Sequence, residues 1–189
     1  MRTRALLVAA ALTAISAQAA APVIEHGAIA KPAGEYAHVR AAFTPGDNVA
    51  GIIGQEIRAA GSTIRVQAYL FTSKPIADAL LSAAKRGVKV EVVADANEYA
   101  DGKTSALPRL AAGGVAVYLN DRHKTSHNKI VIIDADLPRA TIITGSYNFT
   151  RAAQAQNAEN IVVLSGNTAL ARQFLANYDI HRSQSTRLQ

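Results

Sequence analysis

The stretch from Ser126 to Asn160 constrains this chain more than any other, because it sets two β-branched runs on either side of a polar insert. Ile130 to Ile133 is one run and Ala140 to Thr144 the other, with Asp134 to Arg139 between them and Pro138 inside the insert. Branched side chains favour strands and a proline-bearing polar segment favours a loop, so the pattern predicts a β-hairpin. His127 and Lys129 are two residues apart, which places both on one face if the first strand begins near His127. Asp134 is an odd number of residues from each, so it is expected to point the other way or to sit in the turn, as a structural residue. After the second run, Gly145 and Ser146 permit a tight turn, and a helix-like segment is expected to start near Asn148 with Ser146 and Asn148 as short polar donors. An imidazole, an ammonium and a cluster of hydroxyl, amide and backbone donors at one strand end suit phosphoryl chemistry. The imidazole attacks or moves protons while the cation and the donors hold the phosphate oxygens.

Upstream the chain alternates strand with helix. Val39 to Phe43 reads as a strand. Asp47 to Ala60 reads as a helix with the stripe Val49, Ile52, Ile53 and Ile57, and Asp47 as its cap. Thr63 to Phe71 is the next strand. A helix capped by Ser73 follows and stops at Gly87, and Val88 to Ala94 is a further strand. Asp95 to Lys103 reads as a polar loop, followed by a short helix ending at Gly113 and Gly114 and a strand from Val115 to Leu119. A basic loop from Asn120 to Thr125 then feeds into His127. Downstream, Asn160 to Leu164 reads as a strand and Asn167 to His181 as a closing helix. The order predicts an α/β fold: a mixed, largely buried β-sheet flanked by helices on both faces.

The ends of the chain carry a different signal. Met1 to Arg4 is basic, Ala5 to Ile15 is apolar, and Ala17, Gln18 and Ala19 form a small-residue cleavage site. That is the pattern of a secretory signal peptide over residues 1–19, too short to span a bilayer comfortably. It predicts a periplasmic or secreted protein with no stable membrane insertion of the mature chain. Residues 20–38 form an irregular lead-in, 39–181 a single catalytic domain, and 182–189 a polar tail expected to fray. With no cysteine among the 189 residues, neither a disulfide nor a thiolate metal site is available. The formal charge of +6 includes Arg2 and Arg4, so removing residues 1–19 leaves +4. A mild basic excess suits a polyanionic partner.

His127, Lys129 and Asp134 form an H-x-K-x4-D pattern, followed by Gly145, Ser146, Tyr147 and Asn148 and then by Glu159 and Asn160. In this combination, and with Ala68 to Thr72 and Ala84 to Val90 as further matches, the chain resembles the phospholipase D superfamily. The likeness is greatest to its small, single-motif bacterial endonucleases, and it runs from about Val39 to Tyr178. The resemblance implies a phospholipase D-like sandwich. It also implies a phosphodiesterase in which His127 is the nucleophile and forms a phosphohistidine, without a metal or other cofactor. Lys129, Ser146 and Asn148 are then phosphate-oxygen ligands. Glu159 accepts a hydrogen bond from His127, as the acid of a hydrolase triad does.

Several alternative readings carry less weight. His123 lies four residues before His127, but a zinc pair at that spacing needs a helix and the glutamate of H-E-x-x-H is missing. Asn148 to Thr150 matches a glycosylation sequon inside the expected site and is read as accidental. No Walker loop or G-x-S-x-G elbow is present. Arg122, Lys124, Lys103, Arg109 and Arg151 are candidates to line a groove for a phosphodiester backbone. Phosphodiester cleavage by a histidine also needs an acid for the leaving oxygen, and the chain has one such motif. Single-motif members of the superfamily pair as homodimers, so the expectation is a two-fold dimer in which His127 of both copies shares one site. The partner is expected to be nucleic acid, DNA ahead of RNA. The alternatives are a phospholipase D or phosphatidyl transferase acting on phospholipids, and a catalytically idle nucleic-acid-binding module.

Overall fold

A computed structural model describes residues 38–101 and 104–189. The signal segment, the lead-in before His38 and Lys103 lie outside the described residues. In chain order the elements are β1 (His38–Thr44), α1 (Val49–Ala59), β2 (Thr63–Ala68), α2 (Lys74–Lys85), β3 (Lys89–Asp95), α3 (Ala96–Asp101) and α4 (Leu107–Ala112). They continue with β4 (Ala116–Asn120), β5 (Lys129–Ile133), β6 (Thr141–Gly145), α5 (Arg151–Ala155), β7 (Glu159–Ser165), α6 (Thr168–Ser183) and β8 (Thr186–Arg187).

The strands form one sheet in the order β1-β7-β6-β5-β2-β3-β4-β8. Pairs β2–β3 and β3–β4 are parallel and the others antiparallel, so the sheet is mixed as expected. The β5 run is apolar on both faces because both are covered, whereas β2 and β3 turn Arg65, Gln67 and Glu91 toward α6. On β5, Val131 and Ile133 join the core beneath α1, α2 and α4, whereas Ile130 and Ile132 join a second core beneath α6. The alternation of a period-2 strand divides one branched run between two cores.

Several boundaries differ from the sequence reading. Asn48, not Asp47, caps α1: its side chain accepts from the Gly51 N–H, while the Asp47 carboxylate accepts from the Phe43 N–H. Ser73 occupies the cap position of α2 but makes no capping bond through its side chain. The polar loop after β3 contains the short helix α3. The helix expected near Asn148 starts at Arg151 with Thr150 as its cap, because Phe149 instead bridges to Phe71. The tail expected to fray pairs as β8 with Tyr118 and Leu119 of β4, and the Leu188 N–H donates to the Val117 carbonyl. Backbone pairing supplies there what side-chain burial does not.

Candidate active site

Strands β2, β3, β4 and β6 end, and β5 and β7 begin, at one edge of the sheet. That edge gathers the polar residues singled out in the sequence. Lys129 opens β5 opposite Ala68, so His127 lies just beyond the end of β2, and the Tyr69 N–H donates to the Asn128 carbonyl. The His127 ring is exposed and meets the Tyr69 ring with centroids 4.4 Å apart. Lys129 is buried; its Nζ donates to the His127 carbonyl at 2.8 Å and lies 4.9 Å from the centre of the Tyr69 ring. Burial holds the Lys129 ammonium below the ordinary lysine value, and the negative charge of Glu159 pulls it partly back up.

Across β6 a second cluster faces this one. The Ser146 hydroxyl donates to Oε2 of Glu159 at 2.6 Å and accepts from the Asn160 N–H at 3.1 Å. Asn157 donates to the other carboxylate oxygen of Glu159 at 2.9 Å. Thr44, at the end of β1, accepts from the Glu159 N–H and donates to the carbonyls of Ala153 and Asn157. Gly145 is required here by close approach, since a Cβ would collide with the Asn160 carbonyl. Asn148 is half-buried, and its Oδ1 is fully buried with no partner among the described residues. Tyr147 is buried; burial first and the Glu159 charge second push its hydroxyl up to about 12, so it stays neutral.

One expectation needs correction and one is met. No hydrogen bond joins Glu159 to His127; the Glu159 carboxylate accepts from Ser146 and Asn157 instead. Asp134 lies at the far end of β5 with φ of 50°, where it accepts from the N–H groups of Gly61, Ser62 and Thr63 and from Arg139. It ties the hairpin to the start of β2 and takes no part in the site, as its spacing from His127 suggested. Of the cationic candidates, Arg109 is paired with Asp78 of α2. Arg122 and Lys124, exposed on the loop before His127, and Arg151, exposed at the start of α5, form no ion pair among the described residues. His123 packs against His181 of α6, with ring centroids 5.2 Å apart. No group of three or more metal-binding side chains occurs among the described residues.

Sequence reasoning missed the support beneath His127. Asp95 and Asn120 are buried at the ends of β3 and β4. The Asp95 carboxylate accepts from the Ser126 N–H at 2.6 Å, and Asn120 accepts from the Ser126 hydroxyl at 2.8 Å. A polar residue closing an apolar strand was the only available signal, and both residues carry it.

A family model and several known proteins are similar to this chain. A family model described as cardiolipin synthase, PLD-like domain, matches residues 53–180. The chain is 36% identical to a phospholipase D of Rickettsia felis over 74% of its own length and 67% of that protein's. It is 31% identical to a mitochondrial cardiolipin hydrolase of Xenopus laevis, over 57% of its own length and 49% of that protein's. Among solved structures, the phospholipase D family member Nuc from Salmonella typhimurium superposes with a TM-score of 0.75 at 32% identity. That match covers 80% of this chain and 98% of Nuc. No helix among the described residues is long and apolar enough to cross a membrane.

Proposed function

The chain belongs to the phospholipase D superfamily of phosphodiesterases, and from that premise we propose that it is a metal-independent endonuclease acting on nucleic-acid phosphodiesters. One observation carries the choice of substrate. His127 and Ser146 are exposed on an open sheet edge, with Arg122 and Lys124 exposed on the loop before His127 and Arg151 exposed at the start of α5. An open edge flanked by cations suits a long chain of phosphates, whose contacts are made to the backbone rather than to bases.

In this reading a nitrogen of the His127 imidazole attacks phosphorus, the N–P bond forms and the P–O bond to the leaving strand breaks. His127 of a second copy, as imidazolium, gives its proton to the leaving oxygen. Water then attacks the phosphohistidine, the N–P bond breaks, and the second copy's imidazole, now neutral, takes the proton from that water. Lys129 and the Asn148 amide hold the non-bridging oxygens as charge develops on them. The dimer follows from the chemistry, since one chain supplies one such histidine. Residues 1–19, read as a cleaved signal, send the mature enzyme to the periplasm or beyond.

A second reading, hydrolysis of phospholipid, is favoured by the names of the relatives in Rickettsia and Xenopus. The test is cleavage of plasmid DNA by the mature protein in excess EDTA, beside His127→Ala, across a salt series. RNA and cardiolipin vesicles are assayed in parallel. Cleavage of DNA by wild type alone, weakening as salt rises, supports the nuclease. Hydrolysis of vesicles with DNA left intact replaces it with the lipid reading, and binding without cleavage supports an idle binding module.

A further inference from the structure

Tyr69 follows the C-terminal end of β2 and belongs to neither apolar core. Its half-buried ring instead touches the two groups that the proposed reaction uses most directly. The His127 ring lies against it with centroids 4.4 Å apart, and the Lys129 ammonium lies 4.9 Å from its centre. Its hydroxyl donates to Oε1 of Glu98 at 2.6 Å. The Glu98 N–H in turn donates to Oδ1 of the buried Asp95, whose Oδ2 accepts from the Ser126 N–H. The contacts therefore close into a loop. Ser126 precedes His127, His127 rests on Tyr69, Tyr69 is tethered to Glu98, and Glu98 and Ser126 share Asp95.

We propose that Tyr69 is a positioning residue for phosphoryl transfer. Its ring seats the attacking imidazole and the phosphate-binding ammonium, and Glu98 fixes that ring relative to the backbone carrying His127. The proposal rests on His127 being the nucleophile. An aromatic face attracts cations, so the ring suits both the ammonium and an imidazolium. The bond to Glu98, followed by burial and by the charges of Glu98 and Asp95, raises the phenol above its ordinary value and keeps it a neutral donor. Displacing a nucleophile by about an ångström costs up to roughly a hundredfold in rate, so a fixed seat has a kinetic consequence.

The test uses the full mature protein with bis(p-nitrophenyl) phosphate, a phosphodiester that bypasses the choice between nucleic acid and lipid. Tyr69→Leu removes the ring, whereas Tyr69→Phe and Glu98→Ala remove only the tether. Tyr69→Leu is expected to lower kcat on the order of tenfold to a hundredfold, with KM within about twofold of wild type. Tyr69→Phe and Glu98→Ala are expected to lower kcat by the same smaller factor, and their combination by no more than either alone. NMR adds a readout independent of turnover: loss of the ring current shifts the ring protons of His127 and the ε-methylene of Lys129 in Tyr69→Leu but not in Tyr69→Phe. A folded Tyr69→Leu with wild-type kcat, or with those resonances unmoved, overturns the proposal. If Tyr69→Leu fails to fold, the tether variants decide it, and losses that multiply in the double variant overturn it. Wild-type activity in His127→Ala would instead sink the assignment of the nucleophile, and the NMR comparison would still judge the seat.

Discussion

The Ser146 hydroxyl and Oε2 of Glu159 meet at 2.6 Å, joining the end of β6 to the start of β7. The same hydroxyl accepts the Asn160 N–H, so Ser146→Ala leaves a carboxylate oxygen and a backbone donor without it. A fall in kcat of roughly a hundredfold or more is expected, the cost of removing one preorganised polar group. Glu159→Gln separates charge from shape. Its amide oxygen still accepts from Ser146, but the negative charge that pulls the Lys129 ammonium upward is gone. Lys129 then loses its proton at lower pH, and the alkaline limb of the pH–rate profile moves toward acid. A profile measured on both enzymes checks this, and an unmoved limb would refute it.

Lys129 is expected to show opposite effects on activity and stability. Burial keeps its ammonium below the ordinary lysine value of 10.5, so just below that pH the folded chain binds fewer protons than the unfolded one. Stability therefore rises with pH through that window. Lys129→Met removes the buried charge while keeping the stem. It is expected to lower kcat/KM by at least about a hundredfold through loss of phosphate binding. Its melting temperature at neutral pH should be no lower than that of wild type, and the alkaline rise should vanish. Thermal melts from pH 7 to 10.5 beside rate measurements provide the check.

Asp134 is expected to affect stability alone. Burial pushes its carboxyl up, but the N–H groups of Gly61, Thr63 and Ser62, together with Arg139, outweigh burial and hold it below the ordinary 3.8. The stability this provides is fully present above pH 3.8 and is lost as pH falls through that value toward the folded one. In Asp134→Asn one acceptor becomes a donor facing an N–H, at a cost of about 1–3 kcal/mol. The acid limb of the stability profile flattens, and kcat of the folded enzyme is unchanged because His127 stands at the opposite end of β5. Urea titrations from pH 2.5 to 7 give the first result and single-temperature kinetics the second. A reduced kcat in the folded variant would count against a structural role.

What could be read from the sequence divides along a physical line. The β5–β6 hairpin was legible because a branched run has one good conformation, and the odd spacing of Asp134 pointed to its turn. Features that depend on pairing between distant segments were not legible. Tyr69 meets His127 only because β2 pairs with β5 in the register that sets Ala68 opposite Lys129. The resemblance implies that Glu159 holds His127, yet its oxygens accept from Ser146 and Asn157 instead. The tail was read by polarity, which carries no signal for a backbone that pairs with a strand edge.

A shared site makes a quantitative demand on mixed assemblies. If His127 of each copy acts in one centre, one attacking and the other donating a proton, a dimer with a single histidine lacks one step. Wild type and His127→Ala, unfolded together and refolded at equal amounts, then give wild-type homodimers as about one quarter of all dimers by random pairing of a two-fold assembly. Activity per total protein should therefore fall to about one quarter of wild type under that pairing rule. Independent sites, one in each chain, would leave about one half under the same pairing. Light scattering on the mixture confirms that dimers formed, and a linear dependence on the wild-type fraction would mean that each chain carries a complete site.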